Sequence, residues 1–415
     1  MDMSVDSAIN THDILVIGAG AAGIATGRRL AATGASFAII EARARSGGRA
    51  WTCVEGGTPL DLGCGWLHSA ETNPLVGVAT EAGFAIDRSP PPWQKDFDPR
   101  DFTIGEQRDY RRAWARFYAR LEEAAAEGRD RPASELLEPG CRWNPLIDAG
   151  STYVNGVELD RLSVIDFDRY EDSGINWRTP AGMGAMIAAA GAGLPVVHDC
   201  AATLIDHSGK TLRVETTRGV IVARKVIVTI PTNLVAREAV RFTPALPEKL
   251  QAAARLPLGL ADKLFLSVER AEDLPVDGRL YGTKDRVGIG SYHLRPFGRP
   301  LIEGYFGGAF ARELEKGGPR DFADYAIGEI AGVLGADMRK RLKLLSCSAW
   351  AEDPFATGSY SHALPGHSDE RAVLAAPVDG RLFFAGEAVS KHDFSTAHGA
   401  WRSGIAAAEA ALAQA

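Results

Sequence analysis

Lys263 stands in "ADKLFLSVE", a run that is otherwise largely apolar. Alternate residues of a strand share a face, so Lys263 and Phe265 point the same way. Either this is a solvated strand lysine, or it is an ammonium held beside reacting atoms. Tyr360 in "GSYS", Thr396 in "STAHGA" and His68 in "GWLHS" add a ring, a hydroxyl and an imidazole. Two acids close apolar runs: Glu41 follows "FAII", and Glu387 follows "FFAG". An acid at the end of a second strand can accept hydrogen bonds from both hydroxyls of a ribose.

Those acids need elements to place them. "DILVIGAGAAGIATGRRLAATGASFAIIEA" reads strand, turn, helix, turn, strand. Ile14–Ile17 has the pattern of a buried parallel strand. Gly18, Gly20 and Gly23 mark the tight turn, and the helix after it, which includes Ala22, runs to about Ala32. The helix N-terminus offers free N–H groups and partial positive charge to a pyrophosphate. FAD and NAD both bind this βαβ unit, so the turn alone does not choose between them. Beyond Glu41 come Ala42, Arg43 and then Gly47-Gly48-Arg49. Two adjacent glycines let backbone lie against a large cofactor, and Arg49 brings a planar charged fork.

A chain of 415 residues is too long for one small core. Hydrophobic content of 46% and charged content of 24% suit a soluble globular enzyme. The net charge of −7, with no basic block, argues against nucleic acid or an acidic membrane surface as partner. Five scattered cysteines without C-x-x-C, and nine histidines without H-x-x-x-H, indicate neither a disulfide framework nor a metal site. The first residues are polar, and "ILVIGAGAAGIA" is too short to span a bilayer, so a cytoplasmic location is expected.

Residues 107–128 predict an amphipathic helix, "EDSGINWRTPAGMGAMIAAAGAG" a loop feeding a helix, and residues 195–231 several short strands ended by Pro231. "RLFFAGEA" returns to the buried-strand pattern near the C-terminus, followed by an Ala-rich helix from about Thr396.

Taken in order, these segments resemble the flavin amine oxidases: monoamine oxidases, polyamine oxidases and flavin histone demethylases. "IGAGAAG…EARARSGGRAWT" resembles the family's FAD fingerprint and double-glycine loop. "DLGCGWLH", with Gly65, Trp66 and Leu67, resembles its segment passing the flavin. "TPAGMGAM" resembles its turn before a helix, and "VVHDCAATLIDHSG" the strand whose backbone holds adenine, at Ala202. "ADKLFLSVE", "SAWAEDPFATGSYSH" with Trp350, and "FFAGEAVSKHDFSTAHGA" complete the series.

The resemblance implies an α/β fold: a discontinuous Rossmann-type FAD domain (10–75, 180–240 and 368–415) and a mixed-sheet plus helical substrate domain (76–179 and 241–367). The last strand should return to the parallel sheet beside the first. It also implies that Glu387, after Gly386, binds the ribityl or pyrophosphate region of FAD, and that the Ala397 N–H faces the flavin pyrimidine. Lys263 matches the family lysine that holds a water at flavin N5. Tyr360 matches one ring of the family's aromatic cage, and Thr396 stands where monoamine oxidases have the second. His68 either faces substrate or bonds to a loop. Ser359 stands where monoamine oxidases attach FAD through cysteine, so FAD should be non-covalent. With a single dinucleotide turn, electrons should enter from a small-molecule amine and leave to O2, giving hydrogen peroxide. Acids in "IDFDRYEDSG" (Asp166, Asp168, Glu171, Asp172) either attract a distal ammonium or form a solvated loop. The rival readings are a monoamine oxidase, an amino-acid oxidase, a carotenoid- or porphyrinogen-type desaturase, and a non-catalytic flavoprotein binding module. Monomer and homodimer are both open.

Overall fold

The structure is a computed structural model and describes residues 11–413. The first ten residues, part of the segment read above for a leader, lie outside that range.

The buried runs assemble into one large sheet. β1 (Thr11–Ile17) and β2 (Phe37–Ile40) pair in parallel, Val16 opposite Ile39. A hairpin of β3 (Thr52–Glu55) and β4 (Thr58–Asp61) follows. β5 (Val196–Val197), β6 (Ala202–Asp206), β7 (Leu212–Thr216), β8 (Gly219–Val228) and β9 (Arg241–Thr243) give the sheet order β5-β2-β1-β8-β7-β6-β9. Thus β9 extends this sheet past residue 240.

The second sheet holds β10 (Ala261–Val268), β11 (Gly278–Tyr281), β12 (Ser291–Leu294), β13 (Leu301–Gly307) and β14 (Leu342–Cys347), in the order β11-β12-β13-β10-β14. Its pairings are antiparallel. The kinked helix Gly308–Leu334 packs on it around Tyr292, Phe306 and Phe322.

The chain returns to the first sheet with β15 (Leu382–Phe384). Contrary to expectation it does not lie beside β1. Both edges of β1 are occupied, by β2 and by "VIV" of β8, so β15 pairs with the far side of β8. The ten-residue β8 serves both neighbours on that side: its first half is antiparallel to β7 and its last three residues are parallel to β15.

The closing helix Ala397–Ala413 packs against the opening helix Ala21–Ala31. Their backbones nearly touch: a Cβ on Gly404 would come within 2.2 Å of the Ala22 carbonyl oxygen. Thr26 Oγ1 donates to the Gly404 carbonyl at 2.9 Å, locking the two ends of the chain together. The amphipathic helix spans Ile104–Ala126, a few residues earlier than its periodicity suggests, because the Thr103–Glu106 capping box sets its start. Among the described residues, no helix is long and apolar enough to cross a membrane, and no His/Cys/Asp/Glu cluster could hold a metal ion.

Candidate active site

The glycine turn and the double-glycine loop form one unit. Gly18 (φ +104°) and Gly47 (φ +100°) take backbone angles that side chains resist. The Gly47 N–H donates to the Ala19 carbonyl at 2.8 Å, which lays the loop across the turn. Gly20 caps the first helix without a side-chain bond, and no acid sits in its first turn. Ala22 is buried and its carbonyl faces Gly404. Glu41 is buried: one carboxylate oxygen accepts from Ala19 N–H at 2.8 Å and the other from Arg43 N–H at 2.9 Å. The Arg43 guanidinium is held by Asp353 at 2.6 Å. Cys200 N–H donates to the Glu41 carbonyl and Asp199 N–H to that of Arg43, so the stretch leading to Ala202 runs beside Glu41–Ala42–Arg43.

Glu387 joins the opening and closing segments. Its carboxylate accepts from Arg49 Nη1 at 2.8 Å, Ser361 Oγ at 2.6 Å and Ser395 N–H at 3.0 Å. Burial alone would raise its pKa, but Arg49, Ser361 and Arg371 outweigh burial and lower it. Arg49 also donates to the Ser359 carbonyl at 2.7 Å. Arg49, Glu387, Gly386 and Thr232 line a crevice at the carboxyl ends of β8 and β15. Thr232 Oγ1 is buried there without a partner among the described residues.

Thr396 is the N-cap of the last helix. Its Oγ1 accepts from Gly399 N–H at 2.9 Å and donates to the Asp393 carbonyl at 2.6 Å. The N–H groups of Ala397 and His398 take no partner among the described residues. Thr396 therefore presents less free hydroxyl to a neighbour than its sequence position suggests.

Lys263 lies on β10 between Asp61 and β13, 6% exposed and not solvated. Its Nζ is 3.0 Å from Glu303 Oε1 and 5.9 Å from the Tyr305 ring centre. Gly65 leaves room for it: a Cβ there would stand 3.1 Å from Nζ. Tyr305 bonds Tyr360 hydroxyl to hydroxyl at 3.0 Å, and Tyr360 donates to the Tyr153 carbonyl at 2.7 Å. Trp350 donates through Nε1 to the Leu62 carbonyl at 3.0 Å. Leu67 pairs with Trp177, and Trp66 stacks edge-on against Trp93 at 4.4 Å. His68 bonds through Nδ1 to Asn176 Oδ1 at 2.7 Å, with Asp172 at 3.5 Å.

Sequence reading did not single out Glu303, Tyr305 or Asp61. In "LIEGYFG" the acid and the ring are two apart, and β10–β13 register sets Lys263 opposite Tyr305 and Phe265 opposite Glu303. An acid inside an otherwise apolar strand was the available signal; only the pairing shows what it faces. Asp61 accepts from Met183 and Gly184 N–H at 2.9 and 3.2 Å, so it holds the start of helix Met183–Ala190.

The comparisons agree with this geometry. Residues 21–146 and 118–412 match the model of the flavin containing amine oxidoreductases. The chain belongs to that family. It is 30% identical to a protein named lysine-specific histone demethylase 1 homolog 3 of Oryza sativa subsp. indica, over 95% of this chain and 53% of that protein. It thus spans about half the length of that relative. It is 28% identical to polyamine oxidase 4 of Oryza sativa subsp. japonica, over 95% of this chain and 88% of the relative. Cyclohexylamine oxidase from Brevibacterium oxydans superposes with a TM-score of 0.78 at 20% identity over 97% of this chain and 99% of that one. Putrescine oxidase bound to putrescine superposes with a TM-score of 0.78 at 18% identity, over the same shares of the two chains.

The family's cofactor is FAD, and the residues present fit it. The uncapped start of the first helix, the orphaned Thr232 hydroxyl, the buried acids Glu41 and Glu387, and the open N–H groups at Ala397 and His398 are donors and acceptors of the kind a flavin dinucleotide takes.

Proposed function

We propose that this chain is an FAD-dependent oxidase of polyamines or secondary amines, with dioxygen as electron acceptor. The observation that carries the amine reading is the row Lys263–Tyr305–Tyr360, in which an ammonium stands 5.9 Å from one phenol ring whose hydroxyl bonds a second at 3.0 Å. Bound FAD would supply the hydride acceptor for the carbon next to the amine nitrogen and a route for the electrons to dioxygen, and water would hydrolyse the imine released.

The chain's residues bind, orient and desolvate. An alkylamine is mostly protonated near neutral pH. An aromatic wall lowers that pKa by desolvation, so the neutral amine needed for hydride loss forms without a strong base. In this reading Tyr360 and Tyr305 supply the wall, and Lys263 fixes a water and a positive charge beside the reacting atoms. Glu41 would hold the ribose, the first helix start would hold the pyrophosphate, and the Ala397 N–H would meet negative charge on the flavin.

Two observations favour a long amine. Thr396 leaves one side of the site without a ring, its hydroxyl tied to the helix end. An acid is also present for a distal ammonium. Of the four weighed, Asp166 is buried against Arg371, Glu171 faces His392, and Asp168 lies on the helix Val164–Arg169. Asp172 remains, 3.5 Å from His68, whose ring stacks with Trp93. Each further buried methylene adds about 0.8 kcal/mol, so a four-carbon spacer can offset a missing ring contact.

A peroxide assay over a panel of amines tests this. Spermine, spermidine and their N-acetyl forms should give higher kcat/KM than benzylamine or phenethylamine, and higher than a dimethyl-lysine peptide. Faster turnover of the aryl amines would overturn the reading that Thr396 leaves room for a long amine. Preference for the peptide would place the chain with its demethylase-named relatives.

A further inference from the structure

Behind Lys263 runs a line of charge that the proposed reaction does not use. Glu303 Oε1 is 3.0 Å from Lys263 Nζ, and Glu303 Oε2 is 3.8 Å from His293 Nδ1. His293 Nε2 is 2.8 Å from Asp277 Oδ1. Asp277 also meets Arg178 Nη1 at 3.0 Å and, at the more exposed end, Lys95 Nζ at 3.9 Å. Three neighbouring strands, β10, β13 and β12, and the segment before β11 each contribute a group.

We propose that Glu303 is the positioning residue of this site: it holds Lys263 as a fixed ammonium at one point, and His293, clamped by Asp277, holds Glu303 in turn. This rests on the amine-oxidase reading, which puts Lys263 beside the reacting atoms.

A lone lysine at this depth would tend to lose its proton, because burial disfavours the charged form. Burial does act that way on Lys263, but Glu303, then Asp61 and Tyr305, outweigh it and lift its pKa. For Glu303 burial is again the largest effect, pushing upward, yet Lys263 and His293 together bring it to about 2. The two partners agree on a charged pair. Asp61 is the other acid in range, but its oxygens are engaged by Thr52, Met183 N–H and Gly184 N–H. Glu303 is therefore the carboxylate in contact with the ammonium. Among the described residues, the groups facing Lys263 are Glu303 and Tyr305 from β13, Asp61 from β4 and the Cys64 thiol, whose pKa burial lifts out of the range tested; those facing His293 are Glu303, Asp277 and the Trp66 ring. A lysine stem is flexible, and a charge stabilises developing charge only if it is already in place. The Glu303 contact supplies that restraint, and the missing side chain of Gly65 leaves the space in which the ammonium sits.

The test uses the full FAD-loaded chain and four variants: Lys263→Met, Glu303→Gln, Glu303→Asp and His293→Gln. Sulfite, an anion that adds to oxidised flavin and bleaches it, reports nearby positive charge without any substrate. In wild type, its affinity, corrected for sulfite's own ionisation, should stay level up to pH ~9. In Glu303→Gln it should fall about tenfold over that range as Lys263 sheds its proton, and in Lys263→Met it should be low and level. Glu303→Asp should restore the level profile, and His293→Gln should show a smaller fall of about threefold. The kcat–pH profile of Glu303→Gln should gain an alkaline loss absent from wild type. Profiles of Glu303→Gln that track wild type in both measurements overturn the proposal. Should Glu303→Gln fail to fold, a flat His293→Gln profile does the same. Wild type that binds FAD but oxidises no amine overturns the amine reading instead, and the sulfite titration still decides the role of Glu303.

Discussion

Arg49 and Glu387 are 338 residues apart in the chain and 2.8 Å apart in the fold. The pair ties the double-glycine loop to the turn after β15, and it lines the crevice where the parallel strands end. Open α/β sheets bind ligands outside the carboxyl ends of their strands.

Breaking that pair should cost both cofactor and stability. Arg49→Ala leaves the Glu387 carboxylate buried with less compensation, which costs up to ~3 kcal/mol. Flavin absorbance per chain should drop several-fold after gel filtration, and the melting temperature should fall. A variant with full flavin content and unchanged melting would show that Arg49 does not support the site.

Flavin should leave the protein intact on acid precipitation. Ser359 donates through Oγ to the Ala261 carbonyl and accepts from Ala261 N–H, so it is a structural link between Gly358 and β10. It has no thiol with which to attach a flavin. The supernatant should carry FAD by mass; flavin retained in the pellet would refute this.

Thr396 should matter twice. Thr396→Ala removes the cap of the last helix and should cost about 1 kcal/mol, whereas Thr396→Ser should cost little. Chemical denaturation measures both. Thr396→Tyr adds a ring at the cost of the cap, so it should lose stability while shifting the kcat/KM ranking toward aryl amines. An unchanged ranking would remove Thr396 from substrate selection.

Stability should fall at alkaline pH through Glu315. Burial, then Asp262 beside it, raises the Glu315 carboxyl from its ordinary value near 4.5 to about 8. A carboxyl whose folded pKa lies above its unfolded one contributes fully below the unfolded value. That contribution is lost as pH rises from about 4.5 through about 8. Asp262 holds Ser348 and Trp350 N–H, and Glu315 holds Ala351 N–H, so the segment leading to Tyr360 feels the change. Urea midpoints should decline across that window in wild type and decline less in Glu315→Gln. Parallel profiles would show that Glu315 does not titrate there.

Local pattern determined the parts of this protein that depend on neighbours in sequence. The strand-turn-helix at Gly18, the double glycine, the buried run before Glu387 and the long amphipathic helix are each set by a few adjacent residues. Backbone angles and periodicity act over one or two turns. The ordered motifs from Gly18 to Ala397 also carried the family and its flavin. Tertiary structure decided everything that depends on register and on which slot was already filled. β15 pairs with β8 because β2 and β8 occupy both edges of β1. Thr396 is a helix cap because the turn from Asp393 to Gly399 closes on its hydroxyl. Glu303 became the partner of Lys263 because antiparallel register set two strands side by side with those residues on one face. Shifting the pairing by one residue would turn Glu303 to the opposite face, and nothing local to "LIEGYFG" specifies that register.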